Sequence, residues 1–116
     1  MTIMIVDDSK PVRDIIRSLL LPTADTFYEC SDGDEALEAY GRVRPDWVLM
    51  DIKMKRMDGF EATKLILASD PHARIIMITQ YNDPKLREKA RRAGVGEFVL
   101  KDNLFDIERI IQRDRD

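Results

Sequence analysis

The sequence predicts an α/β protein in which a parallel five-stranded sheet carries helices on both faces. Three observations predict it. Five short β-rich runs alternate with five segments of helical periodicity along the 116 residues, and parallel strands need crossovers of that kind. The runs at 47–50 and 75–78 are apolar without alternation, as strands buried on both faces are. Four runs end on polar residues, Asp7-Asp8, Asp51, Thr79 and Lys101, and open α/β sheets carry their chemistry at that carboxyl edge.

The first strand is Thr2–Val6 (Ile3, Met4, Ile5, Val6), which runs straight into Asp7-Asp8. Ser9 then offers an N-cap, Pro11 fits a first helical turn, and Val12, Ile15, Ile16, Leu19 and Leu20 recur at helical spacing until Pro22. Thr26–Cys30, with Phe27 and Tyr28, reads as the second strand. Asp32 and Glu35 have the spacing of a capping box ahead of Ala36, Leu37, Tyr40 and Val43, the apolar face of the second helix. The turn Arg44-Pro45-Asp46 leads into the central strand, Trp47–Asp51.

A loop follows at 52–57, and Asp58 with Glu61 repeats the capping-box spacing before Ala62, Leu65 and Ile66. Asp70-Pro71-His72 ends that helix, and the fourth strand, 75–78, closes on Thr79. After Asp83-Pro84 comes a very polar helix, with Lys85, Arg87, Lys89, Arg91 and Arg92 around Leu86, Ala90 and Ala93. Its simplest reading is a solvated face, with an acidic partner as the alternative. Gly94 to Gly96 stop it, 98–100 forms the fifth strand ending on Lys101, and Leu104, Ile107, Ile110 and Ile111 make a short last helix.

Composition narrows the function classes. The length suits one domain, 1–116, with 44% hydrophobic and 35% charged residues in a single core. With 19 Lys and Arg against 22 Asp and Glu, the net charge of −3 argues against direct nucleic-acid or membrane binding by bulk charge. One cysteine, Cys30, cannot form an internal disulfide and reads as a small buried hydrophobe. No run approaches the ~20 apolar residues of a membrane span, and the start lacks a signal-peptide pattern, so a cytoplasmic location is expected.

The strand-end residues explain one another chemically. Asp7, Asp8 and Asp51, brought to one sheet edge, repel each other and raise their own proton affinity unless a cation joins them. All-oxygen ligands suit Mg²⁺. Such an ion offsets charge on both a carboxylate nucleophile and an incoming phosphoryl group, while the Lys101 ammonium and Thr79 hydroxyl can bind the other phosphoryl oxygens. Carboxylate, cation, hydroxyl and ammonium together suit an aspartyl phosphate at Asp51.

On these residues the sequence resembles the receiver domains of two-component response regulators, over essentially its whole length. The matching features are Asp7-Asp8 after the first strand, the segments Asp51-Ile52-Lys53-Met54 and Met57-Asp58-Gly59, Thr79, and Lys101 preceded by Phe98. The resemblance implies a flavodoxin-like (βα)5 fold with strand order 2-1-3-4-5. It implies that Asp51 accepts a phosphoryl group from a histidine kinase or histidine phosphotransfer protein, making the chain a signalling receiver that acts on itself rather than an enzyme of turnover. It further implies that Asp8, Asp51 and the backbone carbonyl of Lys53 ligate Mg²⁺, with Asp7 acting through water. Thr79 and Phe98 would move together on activation, Lys101 would pair with the phosphate, and the fourth helix, fifth strand and fifth helix would signal to a downstream protein. The chain would be a monomer or a phosphorylation-dependent dimer, either a stand-alone regulator or phosphorelay intermediate, or a receiver cut from a longer protein.

Four positions depart from that pattern. Lys55 stands where the family often has proline, which predicts a more mobile loop. Gln80, followed by Tyr81, stands where a small residue is usual, and either side chain could shield the acyl phosphate, so slow self-dephosphorylation is expected. Lys101 precedes Asp102 rather than a cis-proline. A non-proline cis bond costs about 2.5–4 kcal/mol, so a trans peptide with an adjusted lysine, or visible strain, is expected.

Other residues have plainer readings. His72 belongs to a surface loop, Met54 and Met57 anchor the acceptor loop, and Trp47 packs at a strand start, where it could report activation by fluorescence. Competing functions fit less well. A flavin mononucleotide binder needs a glycine- and hydroxyl-rich phosphate loop after the first strand, where Asp7-Asp8 would repel the phosphate. A haloacid-dehalogenase-type phosphatase needs an aspartate two residues past its nucleophile, where this chain has Lys53. A phosphorylation-independent interaction module with a degraded switch is the alternative if Gln80 and Asp102 disable the site.

Overall fold

Strands and helices alternate strictly in the computed structural model, which describes residues 1–115. The order is β1 (Thr2–Val6), α1 (Lys10–Leu20), β2 (Thr26–Cys30), α2 (Gly33–Val43), β3 (Trp47–Asp51), α3 (Gly59–Ser69), β4 (Ile75–Thr79), α4 (Pro84–Arg92), β5 (Glu97–Leu100) and α5 (Asp106–Arg115), with a 3₁₀ turn at Lys101–Asn103. All pairings are parallel and the strand order is 2-1-3-4-5, as the resemblance implies. The C-terminal limit set at Asp116 lies outside the described residues. Among them no helix is long and apolar enough to cross a membrane.

The sheet has two apolar faces because successive side chains of its strands point to opposite sides. Ile3, Ile5, Leu49, Ile76, Ile78 and Val99 face α1 and α5 through Ile16, Leu20, Ile107 and Ile111. Met4, Val6, Val48, Met50 and Met77 face the opposite helices, meeting Ala36, Ala39, Tyr40, Phe60, Ala62, Ile66 and Ala90. β3 and β4 are buried along their whole length, which accounts for their unbroken apolar sequence.

Helix starts follow the predicted caps. The Ser9 hydroxyl accepts from Val12 N, Asp58 from Glu61 N at 2.9 Å and Asp83 from Lys85 N at 2.9 Å. The α2 box is shifted: Asp32 accepts from Asp34 N, and Glu35 reaches back to Ser31 rather than to the cap residue. α4 ends through Gly94, whose φ of 103° lets Val95 N donate back to Ala90 O at 3.0 Å and turn the chain into β5.

Some apolar residues of the predicted stripes stay outside. Ile15 is 51% exposed, and Leu19 and Leu65 are also exposed, because one face of each helix meets the sheet and that face carries Ile16 and Leu20 in α1 and Ala62 and Ile66 in α3. Leu104 is buried but precedes α5, since the chain first makes the 3₁₀ turn. Cys30 is buried as read, and burial pushes its thiol up to about 12. His72 is exposed on its loop.

Candidate functional site

Register brings the strand ends level. Val6 pairs with Met50, so Asp7 follows β1 at the height of Asp51, and Asp51 pairs with Ile78 on β4. Thr79 is one residue further and pairs with Leu100, after which comes Lys101. Carboxylate oxygens of Asp7, Asp8 and Asp51 lie within 4.8 Å of one another. A cleft of about 220 Å³ opens on them, lined by Asp8, Asp51, Lys53, Thr79, Gln80, Tyr81 and Lys101.

Among the described residues, Lys101 is the cation in contact with these carboxylates. Its Nζ lies 2.9 Å from Asp7 Oδ2 and 3.3 Å from Asp51 Oδ1. Asp51 Oδ1 also accepts from Ile52 N at 3.0 Å, so both contacts fall on the same oxygen. Asp7 Oδ1 accepts from Ser9 N at 2.8 Å, and Arg13 donates to the Asp7 carbonyl at 2.5 Å. Asp7 Oδ2 is buried, and its contact with Lys101 lacks the angle of a hydrogen bond.

One ammonium cannot balance three carboxylates. Asp51 is 5% exposed, and burial, reinforced by the charge of Asp7, raises its pKa to about 7 against the pull of Lys101. Burial also raises Asp7, against its contacts with Ser9 and Lys101. Lys101 shifts up as well: burial works against its charge, but its contacts with Asp7 and Asp51 outweigh that. The cluster therefore has more carboxylate than cation, around a buried Asp7 oxygen that meets the Lys101 ammonium in poor hydrogen-bond geometry. A hard cation fits both facts.

The remaining predicted residues surround the cleft. Thr79 is buried, and its hydroxyl accepts from Tyr81 N at 3.2 Å, which leaves the hydroxyl proton free to donate. Tyr81 is 42% exposed, and the Lys53 ammonium sits 4.3 Å from its ring centroid, so these two side chains meet across the cleft. Gln80 is exposed beside them. Lys55 is exposed on the loop after β3, whose Met54 and Met57 pack on the core as anchors. Asp102 is exposed in the 3₁₀ turn, and the Lys101–Asp102 peptide is trans, since the described residues contain no cis bond. Phe98 is half-buried on β5 with the Arg87 guanidinium 4.4 Å above its ring.

Three supporting residues escaped the sequence reading. Arg13 and Arg87 carry no sequence signal for their contacts, because both act from helices across the fold. Asp32 does carry one: it lies two residues past the end of β2, at the same sheet edge as the other carboxylates, although its spacing to Glu35 predicts only a helix cap.

Fold and site together define the class, a flavodoxin-like sheet of the chemotaxis-regulator type with an acidic, lysine-bearing carboxyl edge. A model of the response regulator receiver domain matches residues 3–113, and the chain belongs to that family. It is 37% identical to the chemotaxis protein CheY of Halobacterium salinarum, over 85% of this chain and 82% of that protein. A LuxR-family two-component response regulator from an Aurantimonas species superposes with a TM-score of 0.88 at 31% identity, covering 97% of this chain and 82% of that one. The complex of CheX and CheY with BeF3 and Mg²⁺ from Borrelia burgdorferi gives 0.82 at 27% identity, covering 86% of this chain and 77% of that one. The protein is a receiver of two-component signalling.

Proposed function

We propose that Asp51 is the phosphoacceptor of this receiver, taking a phosphoryl group from the phosphohistidine of a kinase or phosphotransfer protein with Mg²⁺ bound at the acidic edge. The observation that supports the reading is the clustering of three carboxylates at the carboxyl ends of β1 and β3, two of them in contact with the ammonium of Lys101 that follows β5. Asp8, Asp51 and the Lys53 carbonyl would hold the ion, with Asp7 acting through water. When bound, Mg²⁺ supplies neutralisation of the phosphoryl oxygens.

In the transfer an Asp51 carboxylate oxygen attacks phosphorus, the P–O bond forms, and the P–N bond breaks with its electron pair left on the donor ring. Lys101 then moves from the Asp51 carboxylate to a phosphoryl oxygen, since the acyl phosphate carries more charge. Thr79 donates its hydroxyl proton to another phosphoryl oxygen. That draws Thr79 inward and frees room for Phe98, so the face formed by α4, β5 and α5 changes shape and signals to a downstream protein. The receiver domain spans 1–116, works in the cytoplasm, and is monomeric or dimerises when phosphorylated.

Incubation with acetyl phosphate and Mg²⁺ should add ~80 Da, the mass of a phosphoryl group, to the intact wild-type protein and nothing to Asp51→Asn. An unmodified wild type would favour the phosphorylation-independent module. Self-dephosphorylation is slow on this reading because the Lys53 and Tyr81 side chains meet over the cleft and hinder attacking water. Tyr81→Ala should lose phosphate several-fold faster, by phosphate release after rapid removal of donor, and an unchanged rate would reject the shield.

A further inference from the structure

The loop at 52–58 carries the Lys53 carbonyl, and it is held from two sides. At its base Gly59 N donates to Ile52 O at 2.7 Å, in a space so tight that a Cβ on Gly59 would lie 2.1 Å from the Asp51 carbonyl oxygen. Its far limb is held by a different element. Asp32, at the start of α2, is 2% exposed, and its carboxylate accepts from Met57 N at 2.9 Å, Arg56 N at 2.9 Å and Asp34 N at 3.4 Å.

A residue that served only as a helix cap would need the last of these contacts alone, and that contact is the longest of the three. A buried carboxylate is costly unless donors surround it. Here burial pushes the Asp32 carboxyl up, and the three backbone donors with the Arg56 charge outweigh it and hold it at about 2. Gly33 N adds a bond to Met57 O at 3.2 Å, and a Cβ on Gly33 would lie 2.5 Å from that oxygen. Outside, the Arg56 guanidinium straps the loop to Asp34 at 2.7 and 3.0 Å and to Glu35 at 3.2 Å.

We propose that Asp32 is a positioning residue for the phosphoacceptor site, fixing the far limb of the loop so that the Lys53 carbonyl is held ready for the cation. The inference rests on the cation site described under the proposed function. It makes the β2–α2 junction part of the site's support, although that junction lines no part of the cleft. The loop's two ends are thus fixed at Ile52 and at Arg56 and Met57, with Lys53 next to the first of them.

The test is Mg²⁺ affinity, from titration of amide chemical shifts, in wild type, Asp32→Ala, Asp32→Asn and Tyr40→Phe. Tyr40→Phe removes a 2.8 Å bond to Asp70 and controls for a general loss of α2 stability. Removing an outer-shell support typically weakens metal binding about 10–100-fold, so Asp32→Ala should raise the Mg²⁺ Kd at least tenfold. Amides 56 and 57 should exchange faster in the same variant, and Tyr40→Phe should stay within about twofold of wild type. Asp32→Asn keeps one acceptor oxygen for the cap while presenting a donor to the loop, so it should remain folded and still bind Mg²⁺ several-fold more weakly. Wild-type Kd in folded Asp32→Asn or Asp32→Ala would overturn the inference while leaving the cation site standing. A wild type that takes no Mg²⁺ would overturn both.

Discussion

Asp51 is the residue on which burial and chemistry conflict most. Its carboxyl, raised to about 7, binds a proton in the folded chain that the unfolded chain has released above about 4. Stability is therefore full below that lower value and falls as pH rises toward 7, with a slope of at most about 1.4 kcal/mol per pH unit. In Mg²⁺-free buffer at pH 7.5, Asp51→Asn should be more stable than wild type by up to about 4 kcal/mol in urea unfolding, the slope taken over the roughly three pH units of the shift. Mg²⁺ should stabilise wild type and leave the variant unchanged, and equal stability of the two proteins without Mg²⁺ would show that the carboxylate is not under strain. The same sign makes Mg²⁺ bind more weakly as pH falls below 7, since protons compete for the same oxygens.

At the scale of elements, the site depends on how closely the acceptor loop folds back onto β3. Gly59 begins α3 where a Cβ would strike the Asp51 carbonyl oxygen and the Ile52 Cα. In an ordinary first helical turn, glycine to alanine would be mildly favourable. Here Gly59→Ala should destabilise by about 1–3 kcal/mol, measured by urea denaturation, as over-packing does in a core. A neutral or stabilising result would mean that the loop can move aside. Most elements were legible in the sequence because four of the five strands run into a distinctive polar residue and the first four helices open on Ser or Asp. Asp51, Thr79 and Lys101 announced the edge for that reason. What could not be read was contact between separate elements: the Arg87 guanidinium over Phe98 and the Asp32 carboxylate under Arg56 and Met57 join residues 11 and 24 or more positions apart with no periodic signal.

For the whole molecule, the two ends of the sheet have different work. The carboxyl ends hold the carboxylates, Thr79 and Lys101, while Trp47 is buried at the opposite end of β3 with the Arg74 guanidinium 5.5 Å from its ring centroid. Asp51 lies four residue steps of extended chain beyond Trp47, about 13 Å at the usual strand rise. Trp47 emission should therefore change little on Mg²⁺ binding or phosphorylation, and a large quench would show that the response travels the length of the sheet. The expected movement runs sideways instead, from Thr79 through Phe98 to the groove where Arg87 and Arg91 stand beside Phe98.

All of this depends on Asp51 being the residue that carries the phosphoryl group. The most direct measurement is borohydride trapping of the protein treated with acetyl phosphate and Mg²⁺, which reduces an aspartyl phosphate to homoserine, followed by peptide sequencing through tandem mass spectrometry. The predicted result is homoserine at position 51 alone, lost when Mg²⁺ is chelated. Homoserine at position 7 or 8, or an unreduced Asp51 in protein that has gained a phosphoryl group, would contradict it.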